Sequence, residues 1–188
     1  MIESIRQLSP CFWARLAGAL YLLSIVTGLT GALVGSGHES LADAANLTGI
    51  VCYIAVTLIL YGIFKPVNKI LSLLAALFSL MGCVLLPLTQ MHLATLPINP
   101  MVCFGVYCLL IGYLIIRSEF MPRVVGVLMA LTGLGWLTFI SKPLADHTSR
   151  YVMALGLLGE GSLTLWLLAM GVNTERWREQ AMRPVAHP

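Results

Sequence analysis

Six apolar stretches of about twenty residues recur along the chain, and the charged residues gather in short clusters between them. A stretch of that length has one stable destination, a helix through hydrocarbon, because only a helix satisfies its own backbone polar groups there. The stretches run from about Trp13 to Gly35, Leu47 to Phe64, Ile70 to Thr89, Met101 to Ile116, Val124 to Leu144 and Tyr151 to Val172. Composition agrees: 59% of the 188 residues are hydrophobic and only 10% are charged, whereas a soluble domain carries about a quarter charged residues. The ten-residue segments of alternating polarity that mark a transmembrane barrel are absent from the sequence. The expected fold is an all-α, polytopic membrane helix bundle with six transmembrane helices.

The connectors carry helix breakers, "KPVNK", "PINP" and "RSEFMPR", and their shortness makes successive helices antiparallel neighbours. Nine of the eleven Lys and Arg residues fall at one set of ends: Arg6, Arg15, Lys65, Lys69, Arg117, Arg123, Arg176, Arg178 and Arg183. Only Lys142 and Arg150 fall at the other. By the positive-inside rule both termini are expected in the cytoplasm, with the protein in the cytoplasmic membrane. The expected division is a cytoplasmic N-terminal segment over 1–12, a membrane domain over 13–172 and a cytoplasmic tail over 173–188. The first apolar run is too long for a signal peptide and lacks a convincing A-x-A site, so it reads as a retained span. Met1, Ile2, Ile5 and Leu8 suit a short interfacial helix or an equally ordinary frayed terminus.

An internal echo appears when "FWARLAGALYLLSIVTGLT" (Phe12 to Thr30) is laid on "FMPRVVGVLMALTGLGWLT" (Phe120 to Thr138). The pairs Phe12/Phe120, Arg15/Arg123, Gly18/Gly126 and Thr30/Thr138 coincide. Both segments start at the same side, so the echo implies a parallel repeat of helical hairpins about an axis along the membrane normal. The alternative is plain: Arg followed by apolar residues is how any outward-going span begins. Small residues at four-residue spacing, Ser24, Gly28 and Ala32 with Gly31 and Gly35, and Gly126 with Ala130, offer close-packing faces. Such faces join helices within a chain or two copies in a homo-oligomer, and intrachain packing is the simpler expectation.

Glu160, in "LLGEGSLTLW", places a carboxylate near the middle of the sixth stretch. An ionised carboxylate at that depth costs roughly 2.5 to 3.5 kcal/mol on insertion scales, so it should face the bundle interior. Gly156 and Thr164, one turn to either side, share its small and polar face, while Leu158, Leu165 and Trp166 point elsewhere. Gly159 and Gly161 let a neighbouring helix or a ligand approach. Two readings stay open: an interhelical clamp worth about 1 kcal/mol, or a group that meets a ligand, proton or ion.

A second polar group collects at the outer rim: Gln90, His92, Lys142, Asp146, His147 and Arg150, with Asp43 and Asn46 from the first outer loop. Pro87 and Pro143 are expected to bend their helices there. These residues could form a vestibule leading to Glu160, although helix ends at an interface are ordinarily polar and Lys142 can snorkel. The candidate ligand-binding or proton-linked residues are therefore Glu160, Thr164, Asn46, Gln90, His92 and Lys142.

Several chemistries find no support. His38, His92 and His147 share the outer side with Met91 and Met101, but no two His stand at i, i+3 or i, i+4, so no metal or haem site is expected. Cys11, Cys52, Cys83, Cys103 and Cys108 include no C-x-x-C and read as small buried apolar residues. There is no phosphate loop and no nucleophile elbow. The net charge of +3 reads as topology and contact with anionic membrane lipids, with no nucleic-acid footprint.

"LYGIFKPVNKILSLLAALFSL" (Leu60 to Leu80) and "GYLIIRSEFMPRVVGVLMALTGLGWL" (Gly112 to Leu137) resemble signature segments of an uncharacterised, mainly bacterial membrane family catalogued as domain of unknown function 4386. "RLAGALYLL", "ADAANL" and "GEGSLTLWLL" extend the resemblance, which places Asn46 and Glu160 in family-like segments. The resemblance implies a compact multi-span fold and carries no activity, substrate or cofactor. Three classes of function remain. The first is a protein that binds or transports a small apolar or amphipathic compound through an interior cavity containing Glu160. The alternatives are a membrane-embedded enzyme acting on a lipid or isoprenoid-like substrate, and a structural or accessory subunit with no small-molecule site. The first is the working expectation.

Overall fold

The computed structural model describes residues 9–34, 38–90 and 99–182. Its helices are α1 (Pro10–Val34), α2 (Glu39–Phe64), α3 (Lys69–Gln90), α4 (Met101–Arg117), α5 (Arg123–Leu137), α6 (Lys142–Ala169) and α7 (Thr174–Met182), with a 3₁₀ turn over Thr138–Ile140. The chain is a multi-pass membrane helix bundle. Among the described residues five segments are long and apolar enough to cross hydrocarbon, α5 counting with its 3₁₀ turn, while α4 has 17 residues. That helix spans about 26 Å, slightly short of a typical hydrocarbon core.

Local chemistry sets the helix starts. Asn68 Oδ1 accepts the Leu71 N–H at 3.0 Å, Asn99 Oδ1 accepts that of Met101 at 2.9 Å, and Asn173 Oδ1 accepts that of Arg176 at 3.1 Å. Each caps donors that the first helical turn leaves orphaned. Two boundaries differ from those expected. The fifth span ends earlier, because Ser141 is extended (φ −119°, ψ 116°) and Pro143 sits in the first positions of α6, where proline is tolerated. Pro143 therefore opens α6 and does not bend α5. Asp43 and Asn46 lie on the helical start of α2 rather than in a loop. By contrast Pro87 is inside α3 as expected.

Each of the first six helices packs on its neighbour in sequence, and α6 returns to pack on α1. The result is a closed ring. One end of the ring carries Arg15, Lys65, Lys69, Arg117, Arg123 and Arg176 and is called here the basic end. Between that end and mid-depth the ring is filled by Val56, Leu60, Ile111, Leu114, Met129, Leu163 and Leu167, all buried.

Glycine permits the tightest contacts. A Cβ on Gly112 would stand 2.7 Å from the backbone of Gly126 and Ala130, and one on Gly133 would stand 2.7 Å from the Gly105 carbonyl oxygen. Small faces on α4 and α5 thus join two helices of one chain, as packing in lipid requires. Gly18 presses on Leu168 of α6 and Gly126 on Ile116 of α4. Each meets the helix that precedes its own in the ring. Hydroxyl groups add interhelical bonds: Thr57 to Ser79 at 2.6 Å, and Thr132 to the Leu155 carbonyl at 2.9 Å.

The tail is built into the fold. Gly171 (φ 66°) turns the chain after α6, a left-handed conformation that glycine adopts without strain. The α7 helix then lies against the basic end. Its Trp177 indole donates to the Ile63 carbonyl at 2.9 Å, one of the carbonyls that the end of α2 leaves free.

Candidate functional site

Glu160 sits nine residues before the end of α6, about 14 Å from the basic end by helix rise. Across the ring from it, the Cys108 thiol of α4 donates to Glu160 Oε1 at 3.9 Å. Tyr21 of α1 and Trp136 of α5 also lie beside the carboxyl. The Tyr21 and Tyr53 hydroxyls are hydrogen-bonded at 3.2 Å. Tyr53 in turn meets Tyr21, Phe104 and Tyr107 edge to face, with ring centroids 5.2, 5.3 and 6.0 Å away. These residues stand at one level, about three turns from the basic end of their helices. Together they form a polar and aromatic floor above the apolar fill.

Over that floor lies a cavity of about 230 Å³ lined by Glu160, Tyr53, Phe104, Trp136, Cys83, Ser24, Gly28, Gly49, Ile50, Leu86, Met101, Asn46 and Gln90. It leads from the floor to the end of the ring opposite the basic one, where Asn46 is half-buried and Gln90 exposed. Glu160 itself keeps some accessible surface. Small residues leave the space: Gly28 has nothing within 4 Å of where a Cβ would stand. Among the described residues two buried donors near the floor, the Trp136 N–H beside Glu160 and the Tyr107 hydroxyl beside Tyr53, make no hydrogen bond of good geometry. Trp136 is 9% exposed, so its N–H has no bulk water to turn to, and such groups ordinarily find a partner.

Three of the residues singled out from sequence, Glu160, Asn46 and Gln90, meet in this cavity. Thr164 is buried on the same helix, but its hydroxyl donates to the Glu160 backbone carbonyl at 2.7 Å and it does not line the cavity. Lys142 is exposed at the start of α6, away from the lining. His92 lies outside the described residues. Gly159 receives α5, through Thr132 and the Leu128 carbonyl, whereas Gly161 faces open space. Sequence reasoning did not select Tyr21, Tyr53, Phe104, Tyr107, Cys108 and Trp136. The available signal was depth: Tyr and Trp favour the membrane interfaces, and Tyr21, Tyr53 and Tyr107 stand well inside their spans, whereas Trp136, one residue before the end of α5, carried no such signal.

Among the described residues no group of three or more His, Cys, Asp or Glu could hold a metal ion. The site offers one carboxyl, phenol hydroxyls, an indole N–H and thiols around a mostly apolar space. Such a lining suits a small compound with one polar group, held by its apolar part and oriented at the floor.

Residues 87–171 match the model of the family described as Domain of unknown function (DUF4386). The resemblance read from the sequence therefore holds over the stretch from Pro87 to Gly171, which includes Gln90, Cys108, Trp136 and Glu160. An "Uncharacterized protein" of Archaeoglobus fulgidus is 28% identical over 131 residues, covering 65% of this chain and 78% of that protein. No solved structure matches the chain.

Proposed function

We propose that this multi-pass membrane protein binds a small amphipathic compound in the cavity that ends at Glu160, with the compound's polar group at the floor. The observation that carries the reading is the unfilled space itself. It joins a mid-depth carboxyl, only partly buried, to one end of the ring through Asn46 and Gln90. A carboxyl retained only to clamp helices would be expected to find a strong partner, since burying it is costly. Among the described residues the groups beside it are all uncharged, the Tyr21 hydroxyl, the Trp136 indole and the Cys108 thiol, the last at 3.9 Å. Lys and Arg are concentrated at the closed end, which favours that end as cytoplasmic and the cavity mouth as external. Release to the other side would require the apolar fill around Leu60, Leu114 and Leu163 to open, so binding is the primary activity and transport would add a second conformation.

The experiment is native mass spectrometry of the detergent-purified protein beside Glu160→Gln. Glutamine keeps the size and the hydrogen-bonding capacity while removing the titratable proton. A defined bound mass that weakens in the variant supports the reading and names the compound class. Identical, empty spectra from two equally stable proteins contradict it.

A further inference from the structure

The chemistry of the cavity narrows the class of its occupant. Among the described lining residues there is one acid and no Lys, Arg or His. A carboxyl in a low-dielectric interior is stabilised either by holding a proton or by meeting a counter-charge, and the cavity wall supplies no cation. Beside Glu160 the lining presents the rings of Tyr53, Phe104 and Trp136. Aromatic faces attract cations through the ring quadrupole, most effectively where water is excluded. The mouth end also suits a positive visitor: its described charges are Glu39, Asp43 and Asp146 against Lys142 and Arg150. At the other end Arg15, Lys65, Lys69, Arg117, Arg123, Arg176 and Arg178 outnumber Glu119, Glu175 and Glu179. A volume of about 230 Å³ is below the range of drug-sized pockets, so a compact head group fits better than a large one.

Resting on the cavity reading above, we propose that the site takes a small organic cation, an ammonium whose charge lies against Glu160 and whose carbon substituents pack on Tyr53, Phe104 and Trp136. The ammonium supplies the charge that the wall lacks. Its alkyl or aryl part occupies the space between Gly28, Ile50 and Leu86.

The test uses the full chain in lipid nanodiscs and two probes of nearly the same shape, phenyltrimethylammonium and neutral tert-butylbenzene, with binding read by native mass spectrometry and calorimetric titration. The expected result is binding of the cation at least about tenfold tighter than the neutral isostere. That preference should be lost in Glu160→Gln and kept in Glu160→Asp, which retains the charge on a shorter arm. Trp136→Leu should weaken the cation severalfold. Equal affinity for both probes, with each excluded by Gly28→Leu, overturns the cation assignment and leaves the cavity reading standing. Absence of binding by either probe, with a co-purified mass still displaced by Gly28→Leu, does the same. No probe binding and no co-purified mass overturns both, and cation binding unchanged in Glu160→Gln and Gly28→Leu means lipid-surface association and likewise overturns the assignment.

Discussion

Cys108 and Glu160 meet at 3.9 Å across the interior of the ring, from helices α4 and α6 that are separated by α5. A side-chain contact between ring members two apart means that the middle of the bundle is narrow at that level. Above it, the same ring holds open space. A thiol is a weak donor, so Cys108→Ala should change stability by less than about 1 kcal/mol and leave any bound mass in place. Thermal melts with native spectra check this, and a large loss of stability would favour the clamp.

Glycine substitutions should separate closed contacts from open space. In Gly112→Leu the new side chain meets the backbone of α5, and overpacking of this kind costs about 1 to 3 kcal/mol or more. Gly161→Leu meets nothing and should be tolerated. Size-exclusion profiles after graded heating would show the first variant failing well before the second.

The hydroxyl pair between α2 and α3 offers a measured coupling. Thr57→Val and Ser79→Ala each remove one partner of a buried 2.6 Å hydrogen bond, and the double-mutant cycle should give about 0.6 kcal/mol, the typical value in membranes. A coupling near zero would mean that the helices find other partners.

At the basic end, Trp177→Phe removes the indole N–H that holds α7 on the Ile63 carbonyl at 2.9 Å. The expected cost is about 1 kcal/mol, confined to α7. Limited proteolysis should then cut within 174–182 sooner, while the melting of the ring is unchanged. Equal protection in both proteins would show that other contacts hold the helix.

Hydropathy made the six spans legible because it acts locally: each apolar run must bury its own backbone polar groups. Polarity misled at the ends. "ADHTSR" reads as a loop between the fifth and sixth spans, yet α6 starts at Lys142, nine residues before Tyr151, since a helix can run past the hydrocarbon into the polar interface. Glu160 stood out because a carboxylate in an apolar run is expensive, and its i, i+4 face correctly turned Thr164 inward. What that Thr hydroxyl bonds to was not legible, because it donates to its own helix backbone. Nor was the floor. Tyr21, Tyr53, Tyr107 and Trp136 converge only because α6 closes on α1, and ring closure is a long-range property that no single span encodes.

The cavity is tested most directly by filling it. Gly28→Leu adds a side chain where nothing stands within 4 Å, leaves Glu160 untouched, and replaces glycine in a helix interior with a better helix former. Native mass spectra of the wild type, Gly28→Leu and the control Gly161→Leu, which does not line the cavity, should show a bound mass in the first and third and its loss in the second. A bound mass that persists at the same occupancy in Gly28→Leu would contradict the assignment of this cavity as the binding site.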